Sequence, residues 1–147
     1  MANTWVVVAD SALARIYTYT EDGNGLEQVE ELLHPASRSH ARDLATDRPG
    51  RTFDSEGPGR HAKSESVSPK EHEELKFSRE LAQHLDTART RNRFDGLVLV
   101  AAPSFLGELR KAMTDPALRL VQSELDKNLA HMDGPTVFLH LQRASAG

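Results

Sequence analysis

The sequence predicts an α/β (α+β) fold: a mixed sheet that begins as a β-meander, with helices packed against it, in the order βββ-loop-αβα-β-α. Three observations predict it. Residues 5–33 hold three short segments of strand character separated by turn residues. Residues 68–113 read as helix, apolar strand and helix. Between these two regions, residues 35–67 show neither the period of a helix nor that of a strand.

The first strand is Trp5-Val6-Val7-Val8-Ala9, a β-branched run that stops at the turn signal Asp10-Ser11. Ala14 to Tyr19 alternates, as a strand with two unlike faces does. Glu21-Asp22-Gly23-Asn24-Gly25 is a hairpin turn, because Gly and Asn tolerate positive φ. Leu26 to Leu33 completes the meander, although its Glu and Leu content also suits a helix. Order returns at Ser68-Pro69-Lys70-Glu71, with Ser68 as N-cap, Pro69 at the first helical position and Glu71 closing a capping box. Phe77, Leu81, Leu85 and Ala88 then recur at near-helical spacing, and the helix ends around Arg91-Asn92. Leu97 to Ala102 is the most hydrophobic run, buried on both faces. It reads as a central strand parallel to a neighbour. Pro103-Ser104 opens a second helix through Phe105, Leu106, Leu109 and Met113, which Asp115-Pro116 stops. Leu118 to Leu125 reads as an edge strand or a short helix. Pro135 to Gln142, with Asp133 as its cap, reads as a final helix or a strand.

A length of 147 residues suits one domain spanning 1–147. Apolar residues make up 38% and aromatic ones only 5%, so the core must rest on Leu, Val and Ala. A net charge of -4 excludes a protein that coats nucleic acid by charge alone, but leaves room for a local basic patch. The absence of Cys rules out disulfides, thiolate ligands and a Cys nucleophile. The opening MANTWVVVADSALAR lacks a basic region and a long apolar run, and no membrane-length apolar stretch follows. A cytoplasmic location with no membrane partner is therefore expected.

Residues 35–67 are too long for an ordinary connection. They carry Arg38, Arg42, Arg48, Arg51, Arg60 and Lys63 against Asp43, Asp47, Asp54, Glu56 and Glu65. Arginines interleaved with Gly and Pro suit recognition of phosphate or carboxylate, since guanidinium presents a planar fork of donors and Gly lets backbone N–H groups approach. The candidate anion- or RNA-binding set is Arg38, Arg42, Asp47, Arg48, Gly50, Arg51, Gly59, Arg60 and His61. The plainer alternatives are a loop braced by its own Arg–Asp pairs and a mobile one. Gly57-Pro58-Gly59 matches no Walker or dinucleotide pattern and reads as a sharp turn.

His34, His40 and His61 raise acid–base or metal chemistry, but their spacing fits no zinc pattern, and no metal or cofactor is expected. Asp10 is a candidate acidic site at the end of the first strand. Magnesium-dependent cleavage there would need further carboxylates, and only Asp95 and Asp126 lie near strand ends. The plainer reading of Asp10 is a turn residue. Ser104 lacks a nucleophile elbow and reads as a helix cap.

VVVADSALARIY, HPASRSHARDLATDRPGR, GRHA, FDGLVLVAAPSFLGELR and LDKNLAH together resemble the bacterial host attachment protein family, across nearly the whole chain. The family name implies a need in attachment to host cells. The family is similar in fold to the middle domain of eukaryotic and archaeal class-1 peptide-release factors, a ribonuclease-H-like arrangement. That domain's long loop carries Gly-Gly-Gln to the peptidyl-transferase centre. This sequence has no Gly-Gly-Gln and offers Gly57-Pro58-Gly59-Arg60-His61 instead. The expectation is a cytoplasmic binding module whose loop contacts RNA or the ribosome, with enzymatic activity left open and the balance against it. Its rivals are an indirect role in attachment and a small metal-dependent hydrolase or nuclease. Homodimerisation through a short meander edge is left open.

Overall fold

The computed structural model describes residues 3–34 and 69–146. It is a mixed α/β fold. Strands β1 (Thr4–Ala9), β2 (Leu13–Tyr19) and β3 (Leu26–Leu33) form the expected meander. Helix α1 (Pro69–Thr90), strand β4 (Gly96–Val100), helices α2 (Pro103–Ala112) and α3 (Asp115–Leu118), strand β5 (Val121–Leu125) and helix α4 (Gly134–Ala146) follow. The strands make one sheet in the order β3-β2-β1-β4-β5. Pairing is antiparallel within the meander and parallel from β1 to β4 and from β4 to β5.

The central strands are buried on both faces because helices cover both. Trp5, Val7, Leu97 and Leu99 face α1 and α2, where Phe77, Leu81, Leu85, Phe105 and Leu109 complete the larger core. Val6, Val8, Val98 and Val100 face the other way, against Leu129, Ala130 and the α4 residues Val137 and Leu141. The period of two in each strand splits one apolar run between two cores.

Turn chemistry fixes the ends. Gly23 adopts φ 73° in the β2–β3 hairpin, where Asp22 accepts bonds from the Thr20 hydroxyl at 2.6 Å and the Asn24 amide at 3.0 Å. Asn92 has φ 58° just beyond α1, a conformation Asn tolerates better than most residues, and the Arg93 amide donates back to the Ala88 carbonyl at 3.0 Å. Pro69 is the first helical residue, as expected, while Ser68 lies outside the described residues.

Five readings are resolved or corrected. Leu26 to Leu33 is a strand, because β2 offers it a complete ladder, with a bulge opposite Ile16 and Tyr17. Helix α2 ends at Ala112, before Asp115-Pro116. Thr114 then caps a new short helix, accepting from the Ala117 amide at 3.3 Å, so that Pro116 sits near a helix start rather than a stop. The region 118–125 therefore holds a helix end and then a strand. Ser104 is not a cap: Ala102 occupies that position, and the Ser104 hydroxyl donates to Glu74 at 3.2 Å. Asp133 does cap α4, accepting from the Thr136 amide at 2.9 Å. Hydrogen bonding from Thr136, its side chain first and its backbone amide second, holds the Asp133 carboxyl below the usual range.

Candidate functional site at the carboxyl edge of the sheet

Strand direction gathers the chemistry at one edge. β1, β4 and β5 are parallel, and β3 runs with them because both it and β1 oppose β2. Asp10, His34, Ala101 and Asp126, each following one of these strands, thus share the carboxyl edge, where open α/β sheets place ligands. The chain leaves the described structure just after His34. It re-enters at Pro69, in the first turn of a helix whose early residues contact this same edge.

Asp10 is held in a tight turn. Its Oδ1 accepts from the Ala12 amide at 2.8 Å and the Leu13 amide at 2.9 Å. Its Oδ2 lies 2.9 Å from His131 Nε2. His131 is exposed, but its turn is fixed by the buried Leu129 and Ala130 and by Arg15, whose guanidinium donates to the Met132 carbonyl at 3.1 Å. Arg15 also reaches Glu31 at 3.5 Å.

His34 is buried at the end of β3. Its amide donates to the Ala12 carbonyl at 2.8 Å, tying it to the turn that holds Asp10. Its ring stacks on Phe77, with centroids 5.2 Å apart and planes at 20°. Nε2 lies 2.8 Å from Glu73 and Nδ1 lies 3.3 Å from Glu80, both on α1.

Two further ionic groups stand apart from this edge. Glu30 meets His84 at 2.6 Å and Arg93 at 3.0 Å, and Arg93 also lies over the Trp5 ring. Burial pushes the Glu30 carboxyl up, but the bonds and charges of His84 and Arg93 outweigh it and hold it below the usual range. Asp86 is likewise lowered, by bonds from Thr114 first and Arg89 second.

Arg38, Arg42, Asp47, Arg48, Gly50, Arg51, Gly59, Arg60 and His61 lie outside the described residues, as does His40. Asp10 is described; it braces a turn and meets one histidine. Asp95 sits at the opposite edge, accepting from the Asn3 amide at 2.8 Å, so it does not converge with Asp10. Asp126 shares the carboxyl edge. Among the described residues no three His, Asp or Glu side chains form a group able to hold a metal ion. No described helix is long and apolar enough to cross a membrane. Sequence reasoning missed Glu73, Glu80 and His131. For Glu73 a signal existed: it stands four residues before Phe77, on the helix stripe that is otherwise apolar.

A mixed five-stranded sheet with helices on both faces defines an α/β protein. The chain belongs to the family described as "protein required for attachment to host cells", whose family model matches residues 5–141. The match bears out the family resemblance of its sequence motifs. No curated protein matches the chain. Among solved structures it is similar to one described as "Archaeal protein", at 10% identity and a TM-score of 0.42, over 98% of this chain. The chain spans only 38% of that structure's length.

Proposed function

We propose that this host attachment family member is a cytoplasmic module that binds RNA, on the ribosome or free, through the Arg/Gly/His-rich segment 35–67. The observation that carries the reading is that this segment, with its six cations, is rooted at both ends on the carboxyl edge of the sheet. The sequence resemblance implies a likeness to the release-factor middle domain, whose long loop works in the ribosome, and that implied likeness suggests the same reading. The described part of that edge is largely acidic, with Asp10, Glu73, Glu74 and Glu80. A polyanion would therefore contact the segment's arginines and keep clear of the sheet. Arg48→Ala and Arg51→Ala each weaken binding of a single-stranded oligoribonucleotide. Each also lowers the slope of log K against log salt by about 0.7, one phosphate contact apiece. Fluorescence anisotropy across a salt series checks this; unchanged affinity and slope in both variants would remove the segment from the interface.

The family description favours a second reading, an indirect role in attachment to host cells. Fractionation of cells separates the two. Protein on the outer surface supports direct attachment and counts against the cytoplasmic module. Metal-dependent cleavage is the weaker third reading, because Asp10 is already engaged by two backbone amides and His131.

A further inference from the structure

Among the described residues, a groove at the other end of the sheet has no charged side chain in its lining. Strand β2 opposes β1, so its last residue, Tyr19, stands at the amino edge, away from Asp10 and His34. Beside it Phe138, Leu141, Gln142 and Ser145 follow the helical repeat and form one stripe of α4. Tyr19 and Gly23 of the β2–β3 hairpin make the facing wall, and the groove measures about 560 Å³, a size usual for small-molecule sites. The Tyr19 and Phe138 rings meet edge to face, with centroids 6.3 Å apart and planes at 71°. That contact uses one face of one ring, and Tyr19 is 38% exposed, so an aromatic face remains for a third planar group. Three polar groups border the same space and make no hydrogen bond among the described residues: the Tyr19 hydroxyl, the Gln142 amide and the Ser145 hydroxyl. Burial pushes the Tyr19 phenol up, so it stays a neutral O–H donor. The adjoining cavity, which shares Tyr19, Leu141 and Ser145, holds Glu124, and Arg110 pairs with that carboxylate.

We propose that this groove binds one unstacked nucleobase, with the Tyr19 ring as its stacking platform and Gln142 and Ser145 on its polar edge. Stacking on an aromatic ring tolerates any base, because each has a π face. A side-chain amide carries a donor and an acceptor side by side, the pattern that pairs with a base edge. With no cation in the lining, a phosphate or carboxylate finds no partner there, and with no carboxylate in it neither does an amine. A purely apolar ligand would cover the three polar groups without pairing them, at a cost. Gly23 leaves the mouth open: no atom lies within 4 Å of where a Cβ would stand, which gives a ribose room to reach solvent. The site does not rest on segment 35–67, because it takes the base and not the phosphate.

The test uses the full chain and adenosine, which carries a base and no phosphate. Backbone amide signals are followed by NMR up to about 10 mM adenosine, above the millimolar affinity that one stacked base supports. The signals of Gly23, Gln142 and Ser145 should shift and saturate. Tyr19→Leu removes the flat face but keeps an apolar side chain, and should weaken binding about tenfold. Gln142→Ala, at an exposed position, should weaken it about fivefold, the scale of one neutral hydrogen bond. Ribose 5-phosphate, a sugar phosphate without a base, should leave the three signals in place. A tri-adenylate that moves them at lower concentration identifies a base of RNA as the occupant; one that leaves them in place identifies a free nucleoside. Arg48→Ala should leave adenosine binding intact, which keeps failure of segment 35–67 distinct from failure of the groove. No saturable shift with adenosine, an equal shift with ribose 5-phosphate, or full affinity in both groove variants would overturn the site.

Discussion

Replacing Asp10 separates two roles for the one acidic residue that ends β1. Its Oδ1 accepts two backbone amides, Ala12 at 2.8 Å and Leu13 at 2.9 Å. Bonds to a charged acceptor are each worth about 1.5–3 kcal/mol. They are not fully additive here, because the turn amides reach water once the carboxylate is gone. Asp10→Ala should therefore cost about 2–3 kcal/mol, taking one such bond as the net loss. Asp10→Asn keeps an oxygen in place and should cost about 1 kcal/mol, the value of a neutral bond exchanged for a charged one. His131 pairs with Asp10 at 2.9 Å but is 68% exposed. His131→Ala should consequently cost no more than about 1 kcal/mol, as exposed ion pairs do. Urea unfolding of the three variants measures the order Asp10→Ala, Asp10→Asn, His131→Ala. Full stability in Asp10→Ala would refute the turn as the reason for the aspartate. A loss in His131→Ala as large as in Asp10→Ala would show the ion pair, not the turn, to be what matters.

Phe77 supports both the core and the His34 ring, at 1% exposure and in ring contact with Phe105 at 5.9 Å. Phe77→Ala should cost about 3–5 kcal/mol in the same unfolding measurement, the usual range for such a cavity. Glu30 has its carboxyl held low by His84 and Arg93 against the effect of burial. A depressed carboxylate adds stability that is complete above its unfolded value, near 4.3, and is lost as pH falls through the lower folded value. Glu30→Gln should thus flatten the acid side of the stability profile while lowering the plateau near neutrality. Parallel acid limbs in the two proteins would contradict that assignment.

Much of this architecture is legible in the residues. The runs at 5–9 and 97–101 contain no polar interruption, which is what a strand covered on both faces requires. Gly23 and Asp133 mark a turn and a cap because their local backbone chemistry is self-contained. What stayed ambiguous depends on distant partners. Residues 26–33 have helix-forming side chains, and only the ladder offered by β2 makes them a strand. The short helix at Asp115–Leu118 is not announced by the sequence, because a Pro stops a helix or starts one according to the cap before it, and Thr114 supplies that cap. Contacts such as His34–Glu73 and Asp10–His131 join residues far apart in the chain, so no local spacing announces them. Composition alone points to the proposed anion-binding arginines, which lie outside the described residues.

The central claim is that segment 35–67 binds a polyanion. Co-sedimentation of the protein with ribosomes at low and at high salt tests it most directly, with an Arg48→Ala, Arg51→Ala double variant beside it. The account predicts co-sedimentation at low salt, release at high salt, and loss at low salt in the variant. Absence of the protein from the ribosomal pellet at low salt, together with no binding to free RNA, would contradict it.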